Sequence, residues 1–168
     1  WIEHYARIPV TVNIASEFRY RKPPLAPNGL ALFISQSGET ADTLAALQYA
    51  KEQGLGIIGM VNVPESSIAR LSHVVLQTYA GPEIGVASTK AFTAQLMVLA
   101  CFSLYLGIRR KVLTEEQKDR LFHALLEVPE TMSQILQDET SILTVSHLLL
   151  DAQDVIYMGR GTSFAIAL

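Results

Sequence analysis

Within the six residues SQSGET, 35–40, the chain gathers three hydroxyl groups, from Ser35, Ser37 and Thr40, and the side-chain amide of Gln36. Gly38 lets the backbone come close to a ligand. The residues that follow have the pattern of a helix, whose first N–H groups lack intrahelical partners and form the positive end of its dipole. Hydroxyls, an amide and a helix start are together the parts of a phosphate cradle. The lysine of a P-loop is missing, because GxxxxGK[ST] occurs nowhere in the sequence. A phosphomonoester on a small molecule therefore suits these residues better than a nucleoside triphosphate with its magnesium ion. The same residue types also make an ordinary helix cap, with Thr40 or Ser37 capping and the rest a solvated turn. Residue types alone leave both readings open.

A second loop, AGPEIGVASTKAFTAQ, again links a strand to a helix and carries Ser88, Thr89 and Lys90 where that helix begins. Two such loops at one sheet edge can surround one polar ligand, the first holding phosphate and the second hydroxyls. The competing reading makes Ser88 a plain N-cap and Lys90 a solvated charge. Glu83 is the one acid beside this candidate pocket. No other catalytic constellation is visible. His4, His73, His123 and His147 share no metal-ligand spacing and fall on predicted helices or strands, so structural or exposed roles are expected for them. Paired carboxylates, a nucleophile elbow and CxxC do not occur, and neither a metal nor a cofactor is expected. Cys101, the single cysteine, lies in the apolar stretch LMVLACFSLYL and reads as a buried structural thiol. One cysteine allows no internal disulfide and fits a reducing, cytoplasmic setting.

The elements that must position these loops follow from periodicity. GLALFIS, residues 29–35, is a continuous apolar run of the kind that forms strands buried on both faces. Residues 40–54 place Ala41, Leu44, Leu47 and Ala50 at three-residue steps, an amphipathic helix closed by Gly54. LGIIGMVNV predicts a second strand, SSIARLS a short helix and HVVLQT a third strand. That alternation argues for parallel βαβ units with right-handed crossovers, an α/β fold with a parallel sheet flanked by helices. Upstream, residues 1–7 read as the tail of a helix, VTVNIA (10–15) as a strand and SEFRYR as a polar turn before the break KPPLAPNG. Downstream come a long apolar helix over 88–110 and a second helix whose Thr114 and Gln117 fit a capping box, with Pro129 expected to kink or split it. A helix over 139–152 and a strand at DVIYMG follow. There GRGTS opens another strand-to-helix loop, so residues 1–150 read as one α/β subdomain and 151–168 as the start of a second. Both ends read as cut.

Bulk composition restricts the function classes. Hydrophobic residues make up 49% and charged residues 17% of the chain, apolar-rich against a usual charged share of about 25%, so extensive burial in a doubly covered sheet or a subunit interface is expected. Net charge is −3 and Lys and Arg form no stripe, so nucleic acid is not an expected partner. Arg109, Arg110 and Lys111 read as a solvated turn complementing the C-terminal end of a helix dipole. The apolar run over 91–107 carries Thr93, Gln95 and Ser103 and falls short of the roughly 20 residues of a membrane span. A core or interface helix is expected there.

SQSGETADTL, NIASEFRYR, EIGVASTKAFTAQ and the GRG before the final helix occur here in order. On these motifs the chain resembles the glutamine–fructose-6-phosphate aminotransferase (isomerizing) family, in its isomerase domain built from two sugar isomerase (SIS) subdomains. The resemblance covers nearly the whole chain. SQSGET alone indicates the wider sugar isomerase class, and SEFRYR and EIGVASTKAF narrow it. The resemblance implies a flavodoxin-like three-layer sandwich. It implies that Ser35, Gln36, Ser37 and Thr40 hold the phosphate of fructose 6-phosphate or glucosamine 6-phosphate, and that the Val86 carbonyl and Ser88 meet the sugar hydroxyls. It further implies a cytoplasmic homodimer in amino-sugar biosynthesis.

The family's glutaminase domain is not represented here, and its CGTS-type loop would precede Trp1. Its catalytic Glu and Lys would lie beyond GRG on the helix reaching Leu168, and its ring-opening His and Schiff-base Lys later still, so no catalytic residue is expected within these 168 residues. Two further readings of the same fold are a non-catalytic phosphosugar-binding regulator and a simple aldose–ketose phosphate isomerase.

Overall fold

The computed structural model describes residues 1–82, 84 and 90–167. The chain divides into two compact units, residues 1–125 and 126–168.

In the first unit, strands β1 (Leu30–Ser35), β2 (Gly56–Val61) and β3 (Val74–Gln77) form a parallel sheet in that order. Helix α2 (Ala41–Glu52) makes the first crossover and the short α3 (Ser67–Leu71) the second, so the expected βαβ alternation is present. The pairing of Ser35 with Val61, and of Val61 with Gln77, brings all three strands to their carboxyl ends at one edge. The loops after β1, β2 and β3 leave from that edge.

The core lies between α2, α3 and one face of the sheet. Leu47, Ala50, Leu55, Ile57, Val61, Ile68 and Ala69 form it, with Ala31 and Phe33 packed against it. On α2 the buried stripe is Thr43, Ala46, Leu47 and Ala50, an i, i+3, i+4, i+7 pattern. The expected stripe was thus displaced: Ala41 is exposed, and Ala46 takes a place in it. Gly54, at φ +78°, ends the helix in the left-handed conformation.

Near-continuous burial along a strand is confined to the central one. β2 is buried over five of its six residues, whereas Leu30 and Ile34 of β1 are 60% and 40% exposed. In a three-stranded sheet both outer strands are edges, so the continuous apolar run of β1 is covered only on its α2 face.

Two upstream expectations are corrected. Residues 10–15 form no strand, and SEFRYR is not a turn but most of a helix, α1 (Ala15–Arg21). Val12 and Ile14 are 88% and 72% exposed. β-Branched alternation cannot make a strand without a neighbour to satisfy its backbone. Glu17 in the first turn and Arg19 and Arg21 in the last suit the helix dipole instead. α1 docks on α2 through the edge-on rings of Phe18 and Tyr49, 5.9 Å apart. The Tyr49 hydroxyl reaches the carbonyls of Lys22 and Pro23 at 3.1 and 2.9 Å.

Residues Ile2–Ala6 form a π-helical turn that packs on α4 (Lys90–Arg109). Gly107 permits this contact, because a Cβ there would lie 2.6 Å from the Tyr5 carbonyl oxygen. α4 is long and apolar enough to cross a membrane by length and composition, with mean hydropathy 1.8 and 22% of that window buried. Cys101 is exposed on it, against the expected burial. The face of α4 that is covered carries Ser103, Leu104 and Gly107, and Cys101 lies off that stripe.

The capping box forms as expected. Thr114 N–H donates to Gln117 Oε1 at 2.9 Å, and Gln117 N–H to Thr114 Oγ1 at 3.2 Å, opening α5 (Glu115–Gln137). Pro129 does not split that helix. The second unit holds α6 (Glu139–Leu149), capped by Asp138 through a 3.3 Å bond from Ser141 N–H, and α7 (Thr162–Ala167). The expected strand over 154–159 is absent. Val155, Ile156, Tyr157 and Met158 are 48–89% exposed, and no described strand in this unit offers them a ladder.

Candidate functional site

Alternation along β1 puts Ala31, Phe33 and Ser35 on the α2 side of the sheet. Ser35 therefore ends the strand with its hydroxyl directed under the following loop, 7% exposed. Its Oγ accepts a hydrogen bond from Gly38 N–H at 3.0 Å and lies 2.9 Å from Thr40 Oγ1. Ser37 Oγ accepts from Glu39 N–H at 3.2 Å. All four expected phosphate-loop residues, Ser35, Gln36, Ser37 and Thr40, thus lie on one short turn between β1 and α2.

The turn is fastened at three points. Gly38 sits at φ +68° against the start of α3, and a Cβ on it would stand 2.1 Å from Ser66 Oγ. Its carbonyl accepts from Ile68 N–H at 3.0 Å. Glu39 accepts from Ser67 N–H at 2.7 Å. This backbone bond, reinforced by the Ser67 hydroxyl and by Arg70, holds the Glu39 carboxyl below the usual range. Gln36 is secured through its carbonyl, which accepts from Asn62 N–H at 3.1 Å.

The cap reading assigns these hydroxyls a task they do not perform. Thr40 occupies the N-cap position of α2, yet its side chain makes no capping bond. Ser37 bonds an N–H of the loop, not of the helix. The first intrahelical bond runs from Leu44 N–H to the Thr40 carbonyl at 2.9 Å, so the N–H groups of residues 41–43 stand ahead of it without intrahelical acceptors. A hydroxyl has one proton and two lone pairs. Whichever of Ser35 and Thr40 donates across their 2.9 Å contact, the other keeps its proton for an outside acceptor. The Ser37 proton is likewise uncommitted. Two O–H donors, the Gln36 amide and the start of α2 thus lie on one turn, a donor set of the kind that suits an anion.

Asp42, in the first turn of α2, pairs with Arg19 at 2.8 Å. The hydrogen bond to Asp42, more than any other influence, raises the Arg19 pKa. The acid in the first turn of α2 is thereby offset by a cation from α1.

Val86, Ser88 and Glu83 of the second loop lie outside the described residues. The beginning of that loop is described. Thr78 N–H donates to the Val61 carbonyl at 3.0 Å, and residues 79–82 run along a cleft of about 370 Å³ that Gln36, Asn62, Val63, Gln77, Tyr79 and Gly81 help to line. Gln36 of the first loop and the start of the second loop share this cleft. Tyr79 holds a left-handed backbone, φ +53°, and is 81% exposed.

The other candidates have structural or solvated places. His73 Nδ1 accepts from Ile57 N–H at 2.9 Å. His123 Nδ1 lies 2.7 Å from the Asp119 carbonyl oxygen, and the His4 ring meets that of Tyr5 edge-on. Arg109, Arg110 and Lys111 are exposed. Among the described residues no group of three or more His, Cys, Asp or Glu could hold a metal ion. Sequence reasoning missed Asn62, Glu39 and Ser66, which fix the loops. Asn62 carried a usable signal: it directly follows a buried strand, at the edge from which both loops depart.

The SIS domain family matches residues 1–104. Glutamine–fructose-6-phosphate aminotransferase (isomerizing) of Bradyrhizobium diazoefficiens is 56% identical over the entire chain, and that of Rhizobium meliloti 53%. The chain spans 28% of the length of each. Among solved structures, the C-terminal domain of glucosamine-fructose-6-phosphate aminotransferase from Francisella tularensis superimposes with a TM-score of 0.95 at 43% identity, over 99% of this chain and 47% of that one. Glucosamine-6-phosphate deaminase from Thermotoga maritima gives a TM-score of 0.63 at 25% identity over 77% of this chain.

Proposed function

The chain belongs to the SIS domain family, and on that premise we propose that it is the sugar-phosphate-binding part of a glutamine–fructose-6-phosphate aminotransferase (isomerizing). In this reading Ser35, Gln36, Ser37 and Thr40 hold the phosphate of fructose 6-phosphate or glucosamine 6-phosphate. The Val86 carbonyl and Ser88 meet the sugar hydroxyls. One observation carries the phosphate assignment: the Ser35–Thr40 hydroxyl pair, at 2.9 Å, is spent on neither end of a helix cap and retains a proton for an acceptor.

A phosphomonoester fits the donor set by charge and by number. Its oxygens can take the outstanding O–H protons, the Gln36 amide and the N–H groups at the start of α2, where a helix dipole favours negative charge. The 56% identity with the Bradyrhizobium diazoefficiens enzyme over all 168 residues supports the amino-sugar substrate class. The reaction of the whole protein would convert fructose 6-phosphate and glutamine to glucosamine 6-phosphate and glutamate. Its proton-transfer groups are assigned to the remainder of a longer chain, which would work as a cytoplasmic homodimer.

Calorimetry with fructose 6-phosphate tests the site. Ser37→Ala and the pair variant Ser35→Ala/Thr40→Ala each remove one uncommitted O–H donor and should each lower affinity by about 1.5–3 kcal/mol, the usual effect of removing a hydrogen bond to a charged group. Unchanged affinity in both variants would place the phosphate elsewhere.

A further inference from the structure

Two loops that hold two ends of one ligand must keep a fixed separation, and one side chain sits where that separation is set. Asn62 follows β2 directly. Its backbone N–H bonds the Gln36 carbonyl at 3.1 Å, tying the residue to the first loop. Its side chain turns to the second: Oδ1 accepts from Ala80 N–H at 2.8 Å and from the Thr78 hydroxyl at 3.2 Å, while Nδ2 donates to the Gly81 carbonyl at 2.7 Å.

We infer that Asn62 is a positioning residue, a strut that holds the start of the second loop at a set distance from the phosphate loop and so matches the site to the length of a sugar phosphate. The inference rests on the proposed function for its ligand and on the hydrogen-bond geometry alone for its structural half. An amide suits the position because both of its ends are needed. One oxygen takes two donors, and a separate nitrogen supplies a donor to a carbonyl; a carboxylate has no donor, and a hydroxyl carries both functions on a single atom that cannot reach both sides. The left-handed backbone at Tyr79, between the residues that Asn62 grips, is held by the same contacts.

The strut predicts a split between two ligands. Inorganic phosphate needs the first loop alone, while fructose 6-phosphate needs both loops in register. The test uses the whole 168-residue chain, with amide hydrogen exchange by NMR beside calorimetry with each ligand. In Asn62→Ala, exchange at Ala80 N–H should rise at least about tenfold, as expected when a local closing contact is lost. Fructose 6-phosphate affinity should fall about tenfold and inorganic phosphate affinity should stay within about twofold. Asn62→Asp keeps the acceptor for Ala80 but opposes an oxygen to the Gly81 carbonyl. It should keep Ala80 protected and still weaken fructose 6-phosphate severalfold, which preserves the test if Asn62→Ala does not fold.

Unchanged exchange at Ala80 in Asn62→Ala overturns the strut. So does an equal loss of both ligands, or Asn62→Asp binding fructose 6-phosphate as the parent does. Failure of the parent chain to bind either ligand refutes the proposed function instead, and the exchange measurement then still decides whether Asn62 holds the loop.

Discussion

Replacing Gly38 by alanine brings two separate costs to bear on the proposed phosphate loop. The first is conformational. Gly38 has φ +68°, and an L-residue with a side chain loses about 1–2 kcal/mol there. The second is steric. The new Cβ would lie 2.1 Å from Ser66 Oγ and 2.4 Å from Ser66 Cβ, with Val61 Cγ1 at 3.2 Å. Ser66 is itself fully buried, 1% exposed, so it has little room to yield and the loop must lift. Lifting stretches two hydrogen bonds of the loop, Gly38 N–H to Ser35 Oγ and Ile68 N–H to the Gly38 carbonyl, both 3.0 Å. At about 0.5–1.5 kcal/mol each, the sum with the backbone term is roughly 2–5 kcal/mol. Urea unfolding measures it, and calorimetry with fructose 6-phosphate reads the displaced Ser35 hydroxyl as lost affinity. A double variant apportions the terms. Gly38→Ala combined with Ser66→Gly removes the clash but not the φ, and should recover all but about 1–2 kcal/mol. Ser66 is the N-cap of α3, its Oγ accepting from Ala69 N–H at 3.4 Å, and glycine at an N-cap costs only a few tenths, so Ser66→Gly alone should be nearly silent. Gly38→Ala within about 0.5 kcal/mol of the parent in both stability and affinity would refute the close approach of this loop to α3.

Glu39 gives the loop a pH dependence with a definite sign. Its folded pKa is lowered, chiefly by the bond from Ser67 N–H, so its contribution is complete above the unfolded value of about 4.3 and is lost as pH falls through the lower folded value. Glu39→Gln should therefore flatten the acid limb of a stability profile below about pH 4.5, and an unaltered limb would remove Glu39 from the fastening. The isolated 168-residue chain, given fructose 6-phosphate and ammonia, should form no glucosamine 6-phosphate in a product assay; measurable turnover would mean that it holds acid–base groups of its own.

Local chemistry was legible wherever a short segment determines its own structure. The Thr114–Gln117 box, the left-handed Gly54 and the strand–helix alternation over residues 29–78 each depend on neighbours a few positions away, and each formed. What failed to read through was decided by distant neighbours. Residues 10–15 have strand-like alternation but no strand beside them, and DVIYMG within the second unit shares that condition. Cys101 was misjudged because an apolar stretch does not reveal which helix face will be covered: α4 is apolar all round, and its buried face carries Ser103 and Gly107. In the site, the hydroxyl inventory of SQSGET was visible at once, whereas the fastening by Ser66, Glu39 and Asn62 depends on α3 and β2 lying beside the loop. No spacing within 35–40 could show it.

In the proposed reading, that fastening gives a phosphate loop a purpose far from any reacting bond. In fructose 6-phosphate the phosphate is on C6 and the proposed amination and proton transfer concern C1 and C2. Binding energy gained at a non-reacting group accelerates chemistry only if the group is held in one place, so that it orients the far end of the substrate. A floppy cradle would bind without orienting. Here the oxygen donors sit on a turn with a left-handed glycine packed on Ser66, a carboxylate bonded to the start of α3, and a carbonyl bonded to Asn62. The turn also rests on β2, the most completely buried strand. The fastening is thus concentrated at the turn proposed to hold the phosphate, and through Asn62 it reaches the start of the loop proposed to meet the sugar. The Asn62 and Gly38 variants perturb different stages of that sequence: Gly38→Ala should weaken inorganic phosphate and sugar phosphate alike, and Asn62→Ala the sugar phosphate alone. Identical ligand profiles for the two variants would show that the loops are not held in series.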